Sequence, residues 1–207
     1  MNRVTVRTRW WLVLVGLLIL VGCTAAPQID PLPPEGTILA FGDSITFGTG
    51  ADPESSYPAV LQRLSGYRVV NAGIPGETSE GGLARLPELL QQEQPSLVIL
   101  CLGGNDLLRR LDEKKAEENL RSMVSMMQKR GVSVVLIGVP KLGLGLDVPH
   151  WYRTIARDAQ IPYEGKVLKS VLSDRTLKAD PIHPNAAGYQ HVADAVLAVL
   201  RKSGAIR

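Results

Sequence analysis

The chain has 207 residues, 45% of them hydrophobic and 21% charged, with a formal net charge of +3. That length fits one domain with a sizeable core, and 2 cysteines with 3 histidines are too few for a disulfide framework or a Cys/His metal site. The positive charge belongs to the first 22 residues: without Arg3, Arg7 and Arg9 the basic count equals the 20 Asp and Glu, so nothing marks a nucleic-acid surface.

Those three arginines precede an unbroken apolar run over residues 10–21. The run is short for a membrane span and has the length of a signal-peptide core. It ends in Leu20-Val21-Gly22-Cys23, which resembles the bacterial lipobox. The resemblance implies cleavage before Cys23, a lipid on Cys23, and a domain held outside the cytoplasm on a membrane. Thr24, where an aspartate would signal retention, implies outer-membrane sorting in a Gram-negative cell. An uncleaved anchor helix is the alternative, with the same side of the membrane for the domain. Residues 23–36, with Pro27, Pro31, Pro33 and Pro34, read as an extended spacer. One domain is expected over 37–207.

From Thr37 onward, short apolar runs alternate with helical patterns. Strands are expected at 37–41, 67–71, 97–102 and 132–138, each nearly continuous in apolar residues, with a less distinct fifth near 160–165. Leu120, Met123, Val124 and Met127 repeat at helical spacing within 113–130, and Val192, Val196, Val199 and Leu200 do so within 186–202. Residues 83–94 also read helical, with Pro87 in the first turn. The alternation predicts an α/β domain of three layers, α/β/α, around a mostly parallel sheet of about five strands. No internal repeat interrupts it. Cys101 lies inside an apolar run and reads as a small core residue.

The segment Gly42-Asp43-Ser44-Ile45 follows the first strand and opens a helix, which places Ser44 at the carboxyl edge of the sheet, where open α/β folds put their sites. Far along the chain lies Asp180-Pro181-Ile182-His183-Pro184. A hydroxyl is a poor nucleophile at neutral pH and needs a base to take its proton. An imidazole serves if a carboxylate fixes its tautomer. Ser44, His183 and Asp180 supply those three groups. Each also has a plainer reading: Ser44 as a helix N-cap, His183 as a loop residue, Asn105 and Asp106 as a strand-end turn. Asp43 is expected to bond local backbone, Asn71 to sit in a turn, and His150 and His191 to be surface or packing residues. No Gly-x-Ser-x-Gly surrounds Ser44, so the α/β-hydrolase fold is not indicated.

Four blocks occur in order: Gly42-Asp43-Ser44-Ile45, Asn71-Ala72-Gly73, Gly103-Gly104-Asn105-Asp106, and Asp180-Pro181-Ile182-His183-Pro184. With Gly82-Leu83-Ala84-Arg85-Leu86-Pro87 between them, the series over residues 37–202 resembles the GDSL/SGNH hydrolase family, in its bacterial thioesterase I, lysophospholipase and arylesterase branch. The resemblance implies the flavodoxin-like SGNH fold, no cofactor and no metal. It makes Ser44 the nucleophile, His183 the base and Asp180 its orienting carboxylate. It puts the oxyanion hole at the amides of Ser44 and Gly73 and the side chain of Asn105. The implied substrate is a small ester or lipid-derived molecule, with carbohydrate or cell-wall O-acetyl groups as the alternative. A non-catalytic tethered binding protein is the alternative of another class. Acyl preference is expected to lie in the loop 141–151, through Leu142, Leu144, Leu146 and Trp151, with Met123, Met126 and Met127 as helix core.

Overall fold

The computed structural model describes residues 27–142 and 145–207. The signal sequence, Cys23 and the start of the tether lie outside the described residues, as do Gly143 and Leu144. Strand β1 (Thr37–Gly42) runs into a one-turn helix α1 (Ser44–Phe47), followed by α2 (Tyr57–Ser65), β2 (Arg68–Gly73) and α3 (Ser79–Glu93). Then come β3 (Leu97–Cys101), α4 (Gly104–Leu108), α5 (Glu113–Lys129), β4 (Ser133–Ile137) and α6 (His150–Asp158). The short β5 (Tyr163–Glu164), α7 (Val167–Ser173) and α8 (Ala186–Lys202) complete the domain.

The five strands form one parallel sheet in the order β2-β1-β3-β4-β5. Parallel neighbours need crossovers, and right-handed crossovers distribute the helices over both faces. Accordingly α2 packs with α8 on one side, while α5 packs with α3 and α6 on the other. The expected three-layer α/β/α arrangement is what the chain forms. Strands covered on both faces must be apolar throughout, and Ile38–Phe41, Leu97–Cys101 and Val135–Ile137 are fully buried. The edge strand β2 instead exposes Arg68 and Asn71. Met123 and Met127 belong to the buried face of α5, and Cys101 is a buried free thiol that burial pushes well above its usual pKa.

Two expectations need correcting. Helix α3 starts at Ser79, four residues before the expected start, and Pro87 lies inside it. Its first turn is capped by Thr78, whose Oγ1 accepts the Gly81 N–H at 3.4 Å, and is tied further by the buried Asp106 carboxylate, which accepts the Ser79 N–H at 2.8 Å and the Ser79 hydroxyl at 2.7 Å. Thr78 is a local start signal that the apolar spacing alone overlooks, whereas the contact from Asp106, 27 residues away, leaves none. The second correction concerns the tether. Ile29 and Leu32 are each 8% exposed, and their N–H groups donate to Ser203 O and Ala205 O at 2.8 Å, just beyond α8. The Pro-rich stretch is therefore docked from Ile29 onward, along the edge where the strands begin.

Ile99 stands at the centre of β3 with no exposed surface. Replacing it with alanine removes buried methyl groups and leaves a cavity between two packed layers, a change worth ~2–5 kcal/mol. Ile99→Ala is expected to lower the urea midpoint by that amount with an unchanged slope. A shift equivalent to less than about 1 kcal/mol would contradict the packing described.

Candidate active site

β1 ends at Gly42, where a side chain has no room: a Cβ there would lie 2.1 Å from the Cys101 carbonyl. The chain then turns at Asp43 and enters α1 with Ser44 as its first residue. The Ser44 N–H therefore has no acceptor within the helix and faces outward with the hydroxyl. The plainer reading of Ser44 as an N-cap fails, because Asp43 holds the cap, its Oδ1 accepting the Ile45 N–H at 3.1 Å.

The imidazole arrives from the opposite end of the chain. His183 Nε2 lies 3.0 Å from Ser44 Oγ, and His183 Nδ1 lies 2.7 Å from Asp180 Oδ2. The loop that carries both is closed on itself: Asp180 Oδ1 accepts the N–H groups of Ile182 and His183 at 2.8 and 2.9 Å, and Ala179 N–H donates to His183 O at 3.0 Å. Tyr189 on α8 donates its hydroxyl to Thr49 O at 2.7 Å, which fixes the loop after α1 against this corner. Burial acts upward on the Asp180 carboxyl, but the bonds from His183 and Ile182 outweigh it and hold the group below its usual value. An ionised Asp180 keeps the Nδ1 proton in place and leaves Nε2 as the acceptor facing Ser44.

The donors around Ser44 differ in part from expectation. The Gly73 N–H is already engaged, donating to Asn71 Oδ1 at 3.0 Å, and Gly73 is packed against the Phe47 backbone. Three residues on, the chain offers another backbone N–H. Ile74–Glu77 forms a tight turn closed by Glu77 N–H to Ile74 O at 3.1 Å, with Gly76 at φ +80°. In such a turn the Gly76 N–H points away from the closing bond, and it has no partner among the described residues. Asn105, at the start of α4, reaches the same loop: its Nδ2 donates to Glu77 O at 3.0 Å and to Asp43 Oδ2 at 3.2 Å. Arg85 pins the loop from α3. Its Nη2 donates to Ala72 O at 2.9 Å, it pairs with the Glu77 carboxylate through both Nε and Nη2, and it lies 4.1 Å above the Phe41 ring. The sequence singled out the Arg85 segment only as family texture. The Pro75-Gly76 pair was its one readable sign of a turn.

The cleft beside Ser44 and His183 has apolar walls from Ile45, Leu108, Val139, Leu142, Leu172 and Ile182. Of the expected pocket residues, only Leu142 lines it. Leu146 does not reach it, Leu144 is outside the described residues, and Trp151 stacks on Tyr152 with ring centroids 3.8 Å apart. Ile45 and Ile182 sit beside motif residues and could have been named from sequence. Leu172 comes from α7 and carries no sequence signal. His150 is exposed and bonds Thr154, and His191 is exposed on α8, both away from Ser44.

Residues 40–191 match the model of the GDSL-like lipase/acylhydrolase family. The chain is 35% identical over 202 residues to the esterase TesA of Pseudomonas aeruginosa, covering 89% of this chain and 97% of that protein. It is 31% identical over 194 residues to the thioesterase 1/protease 1/lysophospholipase L1 of Escherichia coli, covering 90% and 89%. Among solved structures, the psychrotrophic esterase EstA from Pseudoalteromonas sp., inhibited by monoethylphosphonate, superposes with a TM-score of 0.70 at 28% identity, over 81% of this chain and 97% of that one.

The depressed Asp180 value has a consequence for stability. A carboxyl whose pKa is lower folded than unfolded contributes stability above its unfolded pKa and loses it as pH falls through the folded one. Wild type should therefore lose this contribution on acidification below about pH 4, while Asp180→Asn has none to lose. Urea midpoints at pH 6 and pH 3 check this. An equal drop in the two proteins would show that the His183 and Ile182 bonds do not favour the ionised form.

Proposed function

The chain belongs to the GDSL-like lipase/acylhydrolase family and is an ester hydrolase, and on that premise we propose that it works through an acyl-serine intermediate on Ser44. The observation that carries this is the unbroken line from Ser44 Oγ through His183 to Asp180, at 3.0 and 2.7 Å, at the mouth of an apolar cleft. In this mechanism the ester carbonyl enters beside Ser44. As Oγ attacks, neutral His183 takes its proton at Nε2, and ionised Asp180 stabilises the imidazolium. The carbonyl oxygen becomes an oxyanion, met by the amides of Ser44 and Gly76 and by Asn105 Nδ2. Collapse expels the alcohol or thiol, protonated by His183, and leaves the acyl group on Oγ. Water, deprotonated by His183, then releases the acid.

The apolar walls support small to medium acyl chains, and the names of the relatives support oxygen esters or thioesters. The same groups would remove acetyl from carbohydrate, and a substrate panel separates the two. Leu20-Val21-Gly22-Cys23 supports a lipid on Cys23 and an extracytoplasmic, membrane-held enzyme. Since the chain is docked from Ile29 along the edge opposite Ser44, so short a tether would turn the catalytic edge away from the anchoring membrane. Esters in the surrounding space then reach Ser44 more readily than lipids still seated in that bilayer.

Purified enzyme assayed on p-nitrophenyl esters, a lysophospholipid and an acetylated sugar should hydrolyse the first two. Preference for the acetylated sugar would move the substrate to carbohydrate. Ser44→Ala and His183→Ala should each lose nearly all turnover while remaining folded, and Asn105→Ala should lose roughly 10²–10³ in kcat. An organophosphonate that still labels Ser44→Ala would place the nucleophile elsewhere. Cys23→Ala should block lipid attachment in cells fed a fatty-acid probe; equal labelling of wild type and variant would sink the anchor.

A further inference from the structure

Asp43 is a carboxylate 2% exposed, one residue before the nucleophile, and no step of the mechanism uses it. A buried charge-bearing group without a function is costly, so what its oxygens hold matters. Oδ1 accepts the Ile45 N–H at 3.1 Å, and Oδ2 accepts Asn105 Nδ2 at 3.2 Å. The Asn105 amide has two Nδ2 hydrogens, and the second goes to Glu77 O at 3.0 Å. The amide plane is thus fixed by two acceptors, one at the end of β1 and one in the loop before α3. A carboxylate satisfies both of its donors at once. An asparagine at 43 would turn an NH₂ toward one of them, because only one of its two terminal atoms accepts. Gly104 belongs to the same fit, since a Cβ there would lie 3.3 Å from Asp43 Oδ2 and 3.0 Å from Val139.

We propose that Asp43 is the positioning residue of the oxyanion site: it holds the Asn105 amide beside Ser44, and the Nδ2 hydrogen it accepts is the one shared with the forming oxyanion. This rests on Asn105 being an oxyanion donor. The long 3.2 Å bond suits such sharing, because the hydrogen is not drawn fully toward Asp43 in the resting enzyme. Substrate then meets a preoriented donor and need not order it, which is where the benefit of such sites lies.

The charge on Asp43 matters to this role. An ionised Asp43 draws the shared hydrogen strongly and opposes a second negative charge nearby, whereas a neutral one still accepts both hydrogens through its remaining lone pairs, holds them more weakly and carries no charge. Burial pushes its carboxyl up to about 7; the Ile45 N–H and His183 act against that rise, and Glu77 adds to it. The other titratable groups that face it are Cys101 from β3, Tyr57 from α2, Tyr152 from α6 and Tyr189 from α8. Burial pushes all four upward, so they stay neutral. Glu77 is paired with Arg85. The turnover of the wild type should therefore fall as Asp43 ionises above about pH 7, a descending limb beyond the rise that a histidine base produces.

The experiment is a double-mutant cycle on the purified enzyme with a p-nitrophenyl ester, over pH 5 to 9. Asp43→Asn should lower kcat with KM little changed, by at most the roughly 10²–10³ that removing the donor itself costs. Because Asp43 acts through Asn105, Asp43→Asn combined with Asn105→Ala should be no slower than Asn105→Ala alone. Multiplying losses would overturn the proposal, as would a KM rise at constant kcat. Should Asp43→Asn fail to fold, Asn105→Ala by itself decides: with Asp43 intact but its target gone, only like-charge repulsion is left, and the fall in turnover above pH 7 should be smaller than in the wild type. A fall of the same size in Asn105→Ala as in the wild type overturns the proposal. If Asn105→Ala costs no turnover at all, the assignment of Asn105 as a donor fails instead.

Discussion

The hydrogen bond between His183 Nε2 and Ser44 Oγ joins residues 139 apart in sequence, and it can form only because the sheet is parallel. In a parallel sheet every strand delivers its carboxyl end to the same edge. β1 ends at Gly42 with Ser44 just beyond, β2 runs into the Gly76 turn, and β3 leads through Gly103 to Asn105. The loop bearing Asp180 and His183 enters α8 at that same edge. The sheet order, with β1 between β2 and β3, sets these three strand ends side by side.

Chain direction assembles the groups, but buried polar contacts set their angles. Four backbone segments meet around Asn105, and each is held by a charged or amide side chain from another. Arg85 ties α3 to the carbonyls of Gly42 and Ala72. Asp106 ties α4 to the start of α3, and Asn119 of α5 adds its Nδ2 to the Ser79 hydroxyl at 2.9 Å. Groups removed from water this far must find partners inside the protein, so the network has few alternative arrangements. That is a physical reason for the Gly42-Asp43-Ser44-Ile45 and Gly103-Gly104-Asn105-Asp106 segments to carry acids that take no part in bond making. Asp106 is accounted for by its two bonds from Ser79, and Asp43 by α1 and Asn105.

Exposure divides the two acids nearest the chemistry into different states. Asp180 is partly open to water and accepts three hydrogen bonds, which keep it ionised. Asp43 has no such access, and burial drives it toward its neutral form near pH 7. Two carboxyls of one site are thus shifted in opposite directions because their solvation and hydrogen bonding differ.

The sequence by itself determined the α/β alternation, the central strands and the faces of α5 and α8, because buried strands and amphipathic helices leave periodic marks that depend only on neighbours in the chain. It also determined Ser44, Asn105, Asp180 and His183 as the residues to watch, through short blocks whose order is readable without coordinates. Tertiary structure decided what distance in sequence hides. The tie of Ser79 to Asp106 joined α3 to α4, and the docking of Ile29 and Leu32 depended on the chain end beyond α8. The cleft wall from Leu172, on a helix without a motif, and the burial that changes the charge of Asp43 were decided in the same way. Each of these turns on which groups from remote segments share a volume from which water is excluded, and one-dimensional periodicity does not encode that.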